Sequence, residues 1–203
     1  MPTLGQAKTF GGVGAILGLL SFAPYIGPVL AIVSLVLILV AVNYISNIVE
    51  DRAIFKNMLI SVILGIVAIV VLAVNVVAII FRVIGLAGSG GFRGLENWSP
   101  SIENFPWAVF PPLTSEIMGL IIWFVIGIVV MWVFFLISVI FLRKSYNSIA
   151  NKLDVSMFKT AALVYLIGTA LAIVGVGIII IFIASILEVV AFFSLPEQVP
   201  QPQ

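Results

Sequence analysis

Long apolar runs alternate with short polar intervals along this chain. A helix rising 1.5 Å per residue needs about 20 apolar residues to cross about 30 Å of hydrocarbon. Five stretches meet or approach that length. The first, from Phe10 to about Ala23, is the shortest and carries Gly11, Gly12, Gly14 and Gly18. The segment Pro24-Tyr25-Ile26-Gly27-Pro28 closes it as a tight turn, because Pro and Gly interrupt regular structure. The others run from Val29 to about Ile45, from about Met58 to Ile84, from about Ile117 to Leu142 and from about Thr160 to Leu187. The last three are long enough to cross with tilt. The pattern predicts an all-α integral membrane bundle of about five transmembrane helices, forming a single domain over residues 1–193. The polar, Pro-rich tail over 194–203 is expected to be extended. The first apolar run lacks an Ala-x-Ala cleavage site and reads as part of an uncleaved hairpin.

Basic residues set the predicted orientation. With five crossings, the N-terminus and the intervals near 46–57 and 143–159 share one side, which holds Lys8, Arg52, Lys56, Arg143, Lys144, Lys152 and Lys159. Arg82 and Arg93 fall on the other side. Loops rich in Lys and Arg stay cytoplasmic, so the N-terminus is expected inside and the C-terminus outside.

The two basic intervals resemble each other. One runs from Tyr44 through Asp51 to Ile54-Phe55-Lys56, the other from Tyr146 through Asp154 to Met157-Phe158-Lys159. Both end in Asp-x-x-apolar-Phe-Lys before a helix, which predicts an internal repeat of helix, basic loop and helix in the same orientation. The plainer reading is an Asp capping a helix and a Lys snorkelling at the interface, twice over. Tyr146, Ile149, Ala150, Leu153 and Met157 also recur at helical spacing. That stripe predicts an interfacial extension of the fourth helix lying on the cytoplasmic leaflet, or a surface for a partner.

Composition settles the class. Of 203 residues, 63% are hydrophobic and 8% charged, against about 25% charged in soluble domains, so lipid must solvate much of the chain. Cys and His are both absent, which excludes disulfides, thiolate zinc, iron–sulfur clusters, His-ligated metals and a Ser-His-Asp triad. The net charge of +1 predicts no nucleic-acid surface. No catalytic, cofactor-binding or metal-binding residue is expected, and Gly88-Ser89-Gly90-Gly91 lacks the features of a phosphate loop.

A few residues stand out. Arg82, Glu116 and Glu188 all fall near the outer ends of their predicted helices. They read either as side chains reaching the interface or as an ion pair between Arg82 and one glutamate. No titratable group is expected at mid-depth. Asn75 lies deep in an apolar run, where a lone amide favours bonding to another helix over lining a pore. Gly14 with Gly18, and Gly168 with Ala172, are small-xxx-small pairs that let helix backbones approach. The outer loop 85–114 carries Phe92, Trp98, Phe105, Trp107 and Phe110, and reads as an external docking surface or an aromatic belt. Within it, Asn97-Trp98-Ser99 matches a glycosylation acceptor.

Several segments together resemble a known family. These are Leu4-Gly5-Gln6-Ala7-Lys8 with Gly11-Gly12, the Pro24–Pro28 turn, Asp51-Arg52-Ala53-Ile54-Phe55, Phe158-Lys159-Thr160 with Tyr165 and Gly168, and Glu188 through Phe192-Phe193 to Pro196. Their order is similar to that of the domain-of-unknown-function 996 family, small multi-pass membrane proteins found mostly in archaea. The resemblance implies a prokaryotic cell-membrane protein and brings no activity or catalytic residue. Taken together, the sequence predicts a non-catalytic protein with no cofactor that meets the lipid bilayer and other membrane subunits or itself. A small transporter or channel is the alternative.

Overall fold

The computed structural model describes residues 3–88 and 115–199, and every element in them is helical. They are α1 (Leu4–Leu20), α2 (Gly27–Ile48), α3 (Arg52–Gly88), α4 (Ser115–Leu153), α5 (Met157–Leu171) and α6 (Gly177–Phe193), with a 3-10 turn at Ala172–Val174 between the last two. Four helical stretches are long and apolar enough to cross a membrane: Gly27–Ile48, Arg52–Gly85, Met118–Leu153 and Met157–Val174. Gly177–Phe193 is apolar but shorter. The protein is therefore an all-α membrane protein.

The predicted helices differ in extent from the observed ones, and two of the differences have a visible cause. The first begins at Leu4, six residues earlier than the apolar run, because Thr3 and Gln6 form a capping box. The Thr3 hydroxyl accepts from Gln6 N and the Gln6 side chain accepts from Thr3 N, both at 3.2 Å, which satisfies two otherwise orphaned donors. The predicted continuous helix over 160–187 is two helices. Gly175 at φ 84 breaks it, a left-handed conformation that disfavours side chains bearing Cβ. The chain then reverses so that Gly168 of α5 lies against Gly177 and Ile181 of α6.

The chain divides into two compact units, one of Met1–Ile66 with Phe134–Gln203, the other Val67–Val133. In the first, α1 and α2 pair antiparallel, with Gly14 against Leu37 and Ile38, Gly18 against Ser34, and Phe10 edge-on to Tyr44. The hairpin of α5 and α6 packs beside them, the Phe192 ring filling the place a side chain at Gly11 would need. A core of Ile45, Ile54, Tyr146, Ile149, Leu153, Phe158, Phe192 and Leu195 sits near the short loops. Burying each such side chain is worth about 1.5–3 kcal/mol against water. Two serines reinforce α3 against α4: Ser138 Oγ donates to Ser61 O at 2.8 Å, with the two hydroxyls 3.2 Å apart.

This packing corrects three expectations. Lys8 Nζ donates to Leu195 O at 3.4 Å, so the start of α1 and the end of α6 lie at one end of the unit, with the short loops. The expected C-terminus on the opposite side does not hold, because the extra reversal at Gly175 brings the chain back. Leu195 is buried, so the tail begins as packed chain rather than as a free extension from 194. The stripe Tyr146, Ile149, Ala150 and Leu153 is buried in the core, while Met157 is exposed. It faces the protein rather than a leaflet, because the chain turns at Asp154 and lays Phe158 against Tyr146.

The two short loops match each other in backbone geometry. Glu50 and Asp154 both take a left-handed conformation, at φ 53 and φ 54. Each follows a helix closed by a six-to-one bond, Asp51 N to Ser46 O and Val155 N to Ala150 O, the Schellman pattern. The next bonds, Ile54 N to Asp51 O and Phe158 N to Val155 O, also correspond. The equivalence pairs Glu50 with Asp154, one residue away from the predicted match of Asp51 with Asp154. Asp51 caps α3 by accepting from Ala53 N at 3.0 Å, whereas Asp154 closes the helix before it. The shared Asp-x-x-apolar-Phe-Lys string is thus out of step with the shared structure. The structural register instead pairs Val42 with Tyr146, Ile45 with Ile149 and Ile54 with Phe158, all buried.

Candidate functional site

The polar centre of the first unit is Glu188. Its place on α6 is fixed by the hairpin, which brings Tyr165 of α5 alongside, and by the aromatic packing of Tyr146, Phe158 and Phe192. Ring centroids in that trio lie 5.1–6.3 Å apart, edge to face. Glu188 is only 8% exposed. One carboxylate oxygen accepts from the Tyr146 hydroxyl, and the other accepts from the Tyr165 hydroxyl at 2.6 Å. Tyr165 Oη also lies 3.1 Å from Ser185 Oγ, which donates to Ile181 O at 3.0 Å. Three helices, α4, α5 and α6, are therefore tied by one network whose members satisfy one another. A buried polar group without such partners would cost about 1–3 kcal/mol.

The reading of Glu188 as an outer-interface carboxylate is overturned. It is buried, and tyrosine hydroxyls rather than Arg82 occupy its oxygens. The error arose from counting a single helix over 160–187, which put residue 188 at the far surface. The guanidinium of Arg82 instead lies 5.3 Å from the centre of the Trp123 ring, a cation–π geometry. The Glu116 side chain, Asn97 and the outer loop from 89 to 114 lie outside the described residues.

In the second unit, Asn75 Nδ2 donates to Trp123 O at 3.2 Å, and its amide occupies the space a side chain at Gly127 would need. Its Oδ1 is buried without a partner. Gly14 and Gly18 face α2, and Gly168 faces α6. Sequence reasoning missed Tyr146, Tyr165 and Ser185 as polar partners. Their signal was weak, since a tyrosine in an apolar run looks like core until the acceptor's position is known.

Among the described residues, no group of three Asp or Glu side chains is placed to hold a metal. Chemically, the Glu188 cluster can hold helices in register and can bind or release a proton in an otherwise apolar setting.

The comparisons follow this geometry. A family model described as "Protein of unknown function (DUF996)" matches residues 30–186. The chain belongs to the DUF996 family. A relative of similar length, uncharacterized protein MJ1644 of Methanocaldococcus jannaschii, is 37% identical over 194 residues, covering 96% of this chain and 94% of that protein. No solved structure matches. The match to the DUF996 model spans the Tyr146–Tyr165 part of the network but stops just short of Glu188.

Proposed function

We propose that this chain is a non-catalytic multi-pass protein of the cell membrane that packs as an accessory or scaffolding subunit against other membrane proteins or a second copy of itself. The supporting observation is the unit Val67–Val133. Its apolar side chains are largely uncovered, among them Ile69, Val74, Val77, Ile80, Trp123 and Val125. A groove of about 310 Å³ runs between Val76, Ile79 and Ile80 of α3 and Leu120, Ile121 and Phe124 of α4. Helices so sparsely buried by their own chain favour association through close packing. Extraction in mild detergent followed by size and mass analysis tests this reading. Stoichiometric foreign subunits or a stable homo-oligomer support it, and a lone monomer that moves solute across liposomes overturns it.

One observation favours a second reading, a small transporter or channel. Ionisable groups buried in membrane helices mark ion and proton paths, and Glu188 lies on a hairpin interrupted at Gly175. Solute flux in liposomes that disappears in Glu188→Gln would establish that reading. For either role, the basic short-loop end faces the cytoplasm, and the C-terminus lies with it. With that orientation we assign the acceptor Asn97-Trp98-Ser99 to the outside, open to glycosylation. A mass shift abolished by Asn97→Gln tests that assignment.

A further inference from the structure

Two pockets sit at the basic end of the first unit, and the repeat relates them. One, about 380 Å³, is lined by Asn43, Ser46, Asn47, Arg52, Phe55, Lys56 and Leu59. The other, about 320 Å³, is lined by Arg143, Asn147, Asn151, Lys159, Thr160 and Leu163. In the register that pairs Glu50 with Asp154, Asn43 matches Asn147, Asn47 matches Asn151, Lys56 matches Thr160 and Leu59 matches Leu163. Each pocket thus holds two amides one helical turn apart, two cations and a leucine, and neither is lined by a carboxylate. The cations occupy different positions in the two copies, Arg52 and Lys56 in one, Arg143 and Lys159 in the other. The double positive charge is kept although its attachment points are not, which marks charge as the retained property.

We propose that each pocket receives the phosphate of an anionic phospholipid headgroup. Two cations with flanking amide donors suit a phosphate, since Arg and Lys supply charge and Asn supplies neutral hydrogen bonds. Basic pockets between membrane helices on the cytoplasmic side favour such headgroups. The occupant is identified as lipid by what adjoins each pocket. From Leu59 an exposed apolar track continues through Ile63 and Ile66, and from Leu163 another continues through Ile167 and Leu171. These spacings of three and four residues align along one helix face, so an acyl chain can lie on the track while its phosphate sits between the cations. Binding here is independent of whether another protein docks on the rest of the molecule.

The test is native mass spectrometry of the full chain in detergent, titrated with phosphatidylglycerol or phosphatidylcholine. Two retained phosphatidylglycerol molecules per chain are expected, with phosphatidylcholine held more weakly because its choline brings a like charge to the cations. The variant Arg52→Gln/Lys56→Gln should retain one, Arg143→Gln/Lys159→Gln should retain one, and the fourfold variant none. Removing two charges should weaken the affected site about 30-fold. Arg52, Lys56 and Lys159 are exposed and Arg143 is half-buried, so folding, checked by the unfolding midpoint of each variant, should persist, and Lys152→Gln, outside both pockets, should still retain two. Equal retention of the two lipids, or two lipids on the fourfold variant, overturns the proposal. Inorganic phosphate at millimolar concentration should leave the lipid in place. Its displacement of the lipid would reassign the pockets to a soluble anion and overturn the lipid source.

Discussion

At the residue scale, the Glu188 network sets the clearest expectations. Tyr146→Phe and Tyr165→Phe each strip one donor from a buried carboxylate, so each should destabilise the protein by about 1–3 kcal/mol. Thermal unfolding in a fixed detergent measures this. Combining Tyr146→Phe with Glu188→Gln should be clearly non-additive, with a coupling of about 0.5–3 kcal/mol, because the groups share one network. Additive effects would show that the hydroxyl and carboxylate are not partners in solution. Asn75 poses the opposite case. One of its buried amide atoms already lacks a partner, so Asn75→Leu should change stability by less than about 2 kcal/mol, read in the same assay. The Asn75 site was legible as far as its bond to another helix, which Trp123 O of α4 accepts, although nothing in the sequence named Gly127 as its seat; Glu188 was not, because its partners come from two other helices.

At the element scale, long hydrophobic runs announced α3 and α4, since each apolar stretch exceeded what a crossing requires, and α2 through a run only slightly shorter. The break between α5 and α6 stayed hidden because its sequence, Ile173-Val174-Gly175-Val176-Gly177, is as apolar as the helices beside it. Hydropathy passes over such a turn, and only the paired glycines mark it. The left-handed Gly175 should tolerate Ala poorly, at a cost of about 1 kcal/mol. Gly177→Ala should cost more, since a methyl there would run into Gly168 O and the backbone of Ala172. Comparing unfolding midpoints of the two variants checks that order. The α1 capping box is plain in Thr3 and Gln6, but the polar residues before Phe10 lie outside the apolar run by which hydropathy marks a helix. The repeat was visible as a likeness of strings, yet its true register emerged only from the two left-handed residues. In that register the copies share their backbone conformation and the pairs Asn43 with Asn147, Asn47 with Asn151 and Leu59 with Leu163.

At the scale of the whole molecule, the odd number of crossings inferred from hydropathy misplaced one terminus, because the reversal at Gly175 adds a helix that hydropathy does not separate. Single cysteines can settle this directly, since the native chain has none. Ser148→Cys and Glu197→Cys should react with an impermeant maleimide from the same side of oriented vesicles. Labelling from opposite faces would refute the shared end marked by Lys8 and Leu195. The seating of Phe192 on Gly11 also orders events during synthesis. The first helix leaves the ribosome with its glycine notch empty, and the aromatic ring that fills it is made some 180 residues later. At about 5–20 residues per second that is a wait of roughly 10–40 s. Until then the notch is open to whatever shares the bilayer, so the nascent chain must be chaperoned, by lipid or by protein, until its last turn arrives to latch it.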